Sequence, residues 1–320
     1  MSKKDMNLKQ EMSAQQASTN TPQQESNQLK EAIAEKNRSY IACIKEAFAL
    51  FAGNVKRIVT HTWLYALVMA MATALVLNLL FRQTLSDEMT PSALYAIAAA
   101  AVFQLLTLAA FQASMMRLVN GQRIAWNIKR SLRMVLLGVL IGIILVVMPN
   151  IIATIIYHGP VQVTPDNYLR LAAILCCWYA VVYILCLPMV HTGMRYFILP
   201  QATFGSVLGK AYLHTWRHWG FIFTTMLLTL LFTTVIGALL SLPWLITLAA
   251  KACSEYGVAV WGDPAGLPSY FPLLQFITAT VSTLIYAYIT IFIMFVCLYI
   301  HGTINTRDKE REEQKRLSAA

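Results

Sequence analysis

The chain has 320 residues, of which 58% are hydrophobic and only 12% are charged, and its formal net charge is +10. Soluble domains average about 45–50% apolar and about 25% charged residues. A chain with this composition cannot cover its own surface in water, so a soluble globular protein is excluded.

The N-terminal quarter changes character once before the first long apolar stretch. Residues 1–27 are rich in Gln, Ser, Thr and Asn, and we expect a disordered cytoplasmic tail because they bury too little apolar surface to fold. In the segment 28–57, apolar residues recur at three- and four-residue steps with Lys and Glu between them. This spacing predicts an amphipathic helix on the inner membrane surface. A coiled coil with a protein partner is the alternative for this segment.

Six later stretches have the length and composition of membrane spans. The hydrocarbon core of a bilayer is about 30 Å thick, which requires about 20 mostly apolar residues per helix. The predicted spans are His61–Arg82, Pro91–Val119, Leu132–Tyr157, Tyr168–Val190, Trp219–Ala250 and Phe271–Ile300. The predicted fold class is therefore all-α, a polytopic membrane protein with a membrane domain over 28–302 and a charged cytoplasmic tail over 303–320.

The basic residues indicate the orientation of these spans. Of the 25 Lys and Arg residues, 22 lie in the N-terminal segment, in 117–133, in 195–217 and in the C-terminal tail. The three connections on the other side carry one basic residue each, and together they carry five acidic residues. Cytoplasmic loops carry the Lys and Arg excess of membrane proteins, so we expect both termini in the cytoplasm. The net charge then reflects topology and attraction to anionic lipid headgroups, and nucleic acid is not an expected partner.

The chain contains an apparent internal repeat. Segments 122–131 and 203–218 each carry an apolar stripe beside basic residues and precede a span, as 28–57 does. This order predicts three repeats of a surface helix followed by a transmembrane hairpin. Pro149 and Pro243 lie toward the outer ends of the third and fifth spans. We interpret both as helix-kink positions, and interrupted helices in corresponding repeats are also found at transporter binding sites.

The spans that return to the cytoplasm end in a shared pattern of two apolar residues, polar residues and glycine. The three sequences are Leu118–Gly121, Met189–Gly193 and Tyr299–Gly302. One interpretation is a helix C-terminus closed by a left-handed glycine. The alternative is a functional polar cluster at the cytoplasmic helix ends, in which Asn120, His191 and His301 converge near Arg195.

Other chemistry-bearing residues are few. No ionisable residue lies near the centre of a predicted span, which disfavours a proton relay or an ion pump. His214 and His218 share a helix face but have no third ligand nearby in the sequence, so an interfacial belt with neighbouring tryptophans is favoured over a metal site. The neutral polar residues predicted inside spans serve as helix-packing contacts or line a pathway. They include Asn78, Gln104, Gln112, Asn150, Ser241 and Gln275.

One stretch resembles a known family. Arg195-Tyr-Phe-Ile-Leu-Pro200 is followed by Lys210-Ala211-Tyr212, by Thr215-Trp216-Arg217 and by a long span from Gly220. This order is similar to the membrane domain fused to some bacterial glycerophosphodiester phosphodiesterases and to stand-alone six-span proteins like it. Ile44–Asn54 resembles the surface helix that opens such domains, and the resemblance covers Ile44–Gly302. Since the phosphodiesterase domain is not in this sequence, the resemblance implies a fold and a location without catalytic residues.

These observations lead to a functional expectation. The sequence has no nucleophile, phosphate-loop or zinc-ligand motif, so we expect no cofactor, no metal site and no enzymatic activity. The leading hypothesis is a bacterial inner-membrane accessory or scaffold protein in envelope or lipid-linked processes. The first alternative is a permease or channel-like carrier for a neutral or amphipathic solute. The second is an enzyme acting on lipid headgroups through His191, His301 and Arg195.

Overall fold

A computed structural model describes residues 36–84, 90–156, 165–262 and 266–319. The predicted tail 1–27 and the first eight residues of the amphipathic segment lie outside these ranges. All regular secondary structure among the described residues is helical. In chain order the helices are α1 Tyr40–Gly53, α2 Val55–Thr84, α3 Pro91–Asn120, α4 Ile124–Ile156, α5 Pro165–Ile198, α6 Gly205–Leu208, α7 Lys210–Thr215, a 3-10 turn Trp216–His218, α8 Trp219–Leu240, α9 Leu242–Trp261 and α10 Phe271–Ala319.

Six helical segments of the described chain are long and apolar enough to cross a membrane, as the sequence predicts. They are Val55–Phe81, Pro91–Asn120, Ile124–Ile156, Leu169–Ile198, Lys210–Leu240 and Phe271–Ala319. This architecture fits a multi-pass membrane protein. The fifth span ends at Leu240, before the predicted Ala250, because α9 begins as a separate helix at Leu242 with Pro243 in its first turn. Proline has no N–H to donate and its ring clashes with the preceding turn, so it starts helices more readily than it continues them.

Proline and glycine therefore have different roles at different positions. Pro149 lies inside the continuous helix α4, whereas Pro243 marks a break between two helices. Gly121 ends α3 in a left-handed conformation with φ 65°, as the glycine-closed terminus predicts. The same prediction is wrong for Gly193 and Gly302, since α5 continues to Ile198 and α10 continues to Ala319.

The last helix is at the centre of the packing. α10 contacts α1, α2, α5, α8 and α9, and its apolar part is the most buried of the six spans. α10 runs antiparallel to α8 and α9. His218, just before α8, contacts Asp308 near the end of α10, and Thr247 of α9 contacts Thr278 near its start. Between these pairs the Tyr286 ring covers Gly237, where a side-chain carbon would lie 2.7 Å from Tyr286 Cε1.

The predicted surface helices differ from one another in the structure. α1 packs on α10 and α8 through a face with small side chains, where Cys43 and Ala47 are fully buried. Ile41 and Phe48 of α1 remain exposed. The segment 122–131 is the first part of α4 instead of a separate helix, and 203–218 forms the short helices α6 and α7 with a 3-10 turn. The three-repeat organisation is not confirmed by this arrangement.

Side-chain contacts join one set of helix termini at the same end of the bundle. This end comprises the start of α4, the end of α3, the end of α5, the start of α8 and the stretch of α10 from His301 onward. Most of the Lys and Arg residues lie in the segments at this end. We call it the basic end.

Candidate functional site

Two histidines from distant parts of the chain meet inside the basic end. His191 of α5 and His301 of α10 lie with their Nδ1 atoms 3.1 Å apart and their ring centroids 4.6 Å apart. Both residues are buried. A hydrogen bond between two such nitrogens requires that one carries a proton and the other does not, so the two rings cannot both be doubly protonated in this geometry.

A third side chain indicates which nitrogen carries the proton. Asn305 follows His301 by one helical turn and places its Nδ2 3.2 Å from His301 Nε2. With the amide in this orientation, Asn305 donates to Nε2, so His301 carries its proton on Nδ1 and donates to His191 Nδ1. His191 then carries its own proton on Nε2. The arrangement is a chain of oriented polar groups in which both rings are neutral.

Both histidines lie within helices, which differs from the sequence prediction of a cluster at helix ends. His191 is seven residues before the last residue of α5, and His301 is followed by eighteen further helical residues. Arg195 lies one turn after His191 on α5, with its side chain exposed. The structure therefore brings His191 and His301 into contact, with Arg195 on an outward face of the same helix.

Asn120 belongs to a separate group of contacts. Its Nδ2 donates to Asn127 Oδ1 at 2.7 Å and to the carbonyl oxygen of Phe197 at 3.2 Å, while Asn127 Nδ2 donates back to Asn120 Oδ1 at 3.2 Å. Asn127 is fully buried. This reciprocal amide pair joins the end of α3 to the start of α4 and to the end of α5, so Asn120 holds helices together without contacting the histidine pair.

A buried arginine adjoins this amide pair. Arg130 of α4 donates to the carbonyl oxygens of Tyr196 and Pro200, to that of Leu199 at 3.0 Å and to that of Ala202 at 3.2 Å. These carbonyls lie at and beyond the last turn of α5, where the helix dipole favours a positive charge. The guanidinium also stacks on two aromatic rings, at 4.0 Å from the Trp126 centroid and 4.6 Å from the Tyr196 centroid.

Sequence reasoning did not single out Arg130, because it counted the residue among the basic flanks of the third span. The available signal was the i, i+4 spacing of Trp126 and Arg130, which places an aromatic ring and a guanidinium on one helix face. Nothing in that spacing identifies the four carbonyl acceptors, which come from a segment about 70 residues later.

A second histidine pair has an acidic partner that the sequence reasoning missed. His218 Nε2 lies 2.9 Å from Asp308 Oδ1, and His214 Nδ1 lies 3.8 Å from Asp308 Oδ2. His218 is buried, while the neighbouring Trp219 is 48% exposed. The interfacial belt stays a prediction. Among the described residues no group of three or more His, Cys, Asp or Glu side chains has the arrangement of a metal site. The contact ties the start of α8 to α10.

Asn37 and Arg38, which precede α1, bond to α10 on the C-terminal side of His301, and we call these contacts the clasp. Arg307 Nε donates to Asn37 Oδ1 at 3.0 Å and Arg307 Nη2 donates to the carbonyl oxygen of Arg38 at 3.1 Å, while Asn37 Nδ2 donates to Glu310 Oε2 at 3.2 Å. Cys43 Sγ lies 3.7 Å from Thr303 Oγ1, and burial raises the pKa of this thiol above its ordinary value.

A cavity lies away from the basic end, between α2, α3, α4 and α10. Its volume is about 580 Å³, and its wall carries two glutamine amides from one face of α3, Gln104 and Gln112. The other neutral polar side chains predicted inside spans behave differently. Asn78 and Asn150 each donate to the carbonyl oxygen four residues earlier on their own helix, and neither lines this cavity.

Comparison of the chain with protein-family models, with curated proteins and with solved structures gives no match. The resemblance to the membrane domain of glycerophosphodiester phosphodiesterases therefore stays a prediction.

Replacement of Arg130 by lysine is expected to destabilise the protein. Lysine keeps the charge but presents a single ammonium group, which cannot reproduce the planar fork that reaches four carbonyls and stacks on two rings. We expect the free energy of unfolding in detergent to fall by about 2 kcal/mol. The control is Arg133→Lys one turn later, where the side chain is exposed and the expected change is below about 0.5 kcal/mol. Equal effects of the two substitutions would contradict this role.

The histidine pair predicts a non-additive result. His191→Leu leaves the Nδ1–H of His301 without its acceptor, which costs about 1–3 kcal/mol of unfolding free energy. The double variant His191→Leu/His301→Leu removes both polar groups, so its loss is expected to be smaller than the sum of the single losses by about 1 kcal/mol. His61→Leu is the control, because His61 is exposed and its hydrogen bond within the described residues is to the carbonyl oxygen of Arg57 on its own helix. Simple additivity at positions 191 and 301 would argue against a direct hydrogen bond.

Proposed function

We propose that the protein is a non-enzymatic accessory or scaffold protein of a bacterial inner membrane, acting in envelope or lipid-linked processes. The observation that carries the proposal is the continuity of α10. A helix of 49 residues is about 73 Å long, more than twice the thickness of the hydrocarbon core. Its last part extends beyond the membrane-embedded region as part of the same rod.

The projecting part has the character of a docking element. We call Lys309–Ala319 the C-terminal arm, and all of its residues are exposed. It carries both signs of charge and ends with the apolar Leu317, which is 79% exposed. The clasp around Arg307 holds the base of the arm in place, so a partner bound to the arm is held at a defined position above the bundle.

Orientation and lipid contacts form the second part of the proposal. Positive residues are retained on the cytoplasmic side of membrane proteins, so the basic end is assigned to the cytoplasm together with both termini. Anionic lipid headgroups are then its nearest charged partners. In this proposal the chain consists of three units, each a cytoplasmic helical segment followed by two spans, with the start of α4 as the segment of the second unit. α1 is a second contact surface for a protein partner through its exposed apolar face.

Chemical labelling of cysteine tests the orientation. Cys253 of α9 is exposed at the end of the bundle opposite the basic end, whereas Cys43 is buried beside Thr303. We expect a membrane-impermeant maleimide added to the periplasmic side to label Cys253 in a variant without other exposed cysteines. Cys43 is expected to react only after denaturation, since a buried thiol with a raised pKa supplies little thiolate. Labelling of Cys253 from the cytoplasmic side alone would reverse the assignment.

Site-specific photo-crosslinking tests the scaffold role. A photoreactive amino acid at Glu313 or Leu317 of the full-length protein is expected to give a protein adduct in cells, and one at Trp261, exposed at the opposite end, is not. If charge guides docking, Arg311→Glu/Lys315→Glu lowers the adduct yield about tenfold. The charge-preserving variant Arg311→Lys/Lys315→Arg retains it. Adducts that are indifferent to charge reversal, or that form equally from Trp261, would contradict the proposal.

The alternative function is that of a carrier for a neutral or amphipathic solute, and the cavity beside Gln104 favours it. The two functions separate experimentally. A scaffold keeps its partner when Asn78, Gln104 and Asn150 are replaced by leucine, whereas a carrier loses uptake in the Gln104 variant and keeps it when the arm is charge-reversed.

A further inference from the structure

The cavity between α2, α3, α4 and α10 has the size of a small-molecule site. Its volume of about 580 Å³ falls within the range of about 300–1,000 Å³ found for ligand pockets. No Asp, Glu, Lys or Arg is present among the described residues that line it. A charged headgroup would therefore find no counter-ion in this cavity.

The orientation of the Gln104 amide is set by its neighbours. Gln104 Nε2 lies 2.6 Å from Thr73 Oγ1, and the hydroxyl of Thr73 donates its own hydrogen to the carbonyl oxygen of Met69 at 2.9 Å. Thr73 therefore acts as an acceptor toward Gln104, and the amide must present its nitrogen to Thr73. The carbonyl oxygen Oε1 is left facing elsewhere, buried and without a hydrogen-bond donor.

Gln112 repeats this feature eight residues later on α3. Its Oε1 is also buried without a hydrogen-bond partner. Eight residues correspond to about 12 Å along a helix and to a net rotation of about 80°, so the two side chains lie on adjoining parts of one broad face. Between the two amides the wall of the cavity is apolar, with Leu108 and Phe111 on that face of α3.

Two unpaired acceptors at this depth need an explanation. Each buried acceptor without a donor costs about 1–3 kcal/mol, and the hydrocarbon region of a membrane contains no water to supply one. Three of the residues that line the cavity, Gly138, Tyr286 and Thr290, are exposed. Because these residues lie within membrane-spanning helices, the mouth of the cavity faces the lipid.

We propose that this cavity binds a neutral lipid alcohol, a molecule with an apolar chain and free hydroxyl groups, such as a diacylglycerol. The chain lies along the apolar wall between the two glutamines, and a hydroxyl donates its hydrogen to Gln104 Oε1 or Gln112 Oε1. This bond requires the amide to turn toward the cavity, because both oxygens are closed to solvent in the structure. A phosphate-bearing headgroup is disfavoured because no cation lines the cavity. An acyl chain alone fills the volume but satisfies neither amide oxygen. This inference goes beyond the scaffold role and does not depend on transport.

The glycines of α4 provide a matched pair of variants. A side-chain carbon added at Gly138, in the cavity wall, or at Gly142, one turn further along α4, meets no atom within 4 Å. Gly138→Leu therefore adds a side chain to the cavity wall at a position where its first carbon has space, and Gly142→Leu adds the same side chain at a position that does not line the cavity. Gln104→Leu/Gln112→Leu removes both acceptors while keeping side chains of similar size.

The experiment is photo-crosslinking of the purified full-length protein in lipid nanodiscs. The probe is a photoactivatable, alkyne-tagged diacylglycerol, and its comparator is the same molecule with the hydroxyl converted to a methyl ether. We expect the alcohol to label the protein about tenfold more than the ether, as the loss of one or two hydrogen bonds implies. We expect Gly138→Leu to reduce labelling about tenfold, Gly142→Leu to leave it unchanged, and the double glutamine variant to remove the preference for the alcohol.

Three results would overturn the proposal. Equal labelling by the alcohol and the ether would show that an apolar chain alone occupies the cavity. Equal losses in Gly138→Leu and Gly142→Leu would show that the probe binds elsewhere on α4. Labelling that ignores the double glutamine variant would show that the orphan amide oxygens do not recognise the ligand. Thermal stability of each variant is measured alongside, so that unfolding is not mistaken for lost binding.

Discussion

The packing of α10 against five other helices is the constraint on which the rest of the structure depends. Helices in a membrane are not driven together by the hydrophobic effect, since lipid tails are as apolar as leucine. Close packing and interhelical polar contacts have to supply the association. α10 provides both, because Ala287 and Ile291 are buried in its apolar half and His301 and Asp308 reach α5 and α8 from its basic half.

Polar side chains are satisfied in two ways, according to where they lie. Within the apolar spans, many hydroxyl and amide groups donate to a carbonyl of their own helix, as Thr229 of α8 does to the carbonyl oxygen of Thr225. At the basic end, side chains instead bond to other helices, as in the Asn120–Asn127 pair. Gln104 Oε1 fits neither pattern, because it is buried without a hydrogen-bond donor. This unpaired acceptor is the basis of the proposed ligand site in the cavity.

The candidate site shows how far a sequence pattern reaches. The shared ending of the returning spans selected His191 and His301, which do come into contact. The pattern predicts that both residues lie at helix ends, whereas both helices continue past them. Arg130 was overlooked because a basic residue beside a span is already explained by topology, and its carbonyl acceptors lie on another helix. Asp308 was overlooked because it is 90 residues from His218 in the sequence.

The sequence by itself determined the helical class and the six apolar segments, because hydropathy and length are local properties that any 20-residue window reveals. It also determined the uneven distribution of charge that supports the proposed orientation. Only the tertiary structure decided which polar residues meet, that α10 lies at the centre, and that the predicted fifth span is divided into α8 and α9. Those outcomes depend on which helix faces pack together, and packing energies arise between residues far apart in the chain.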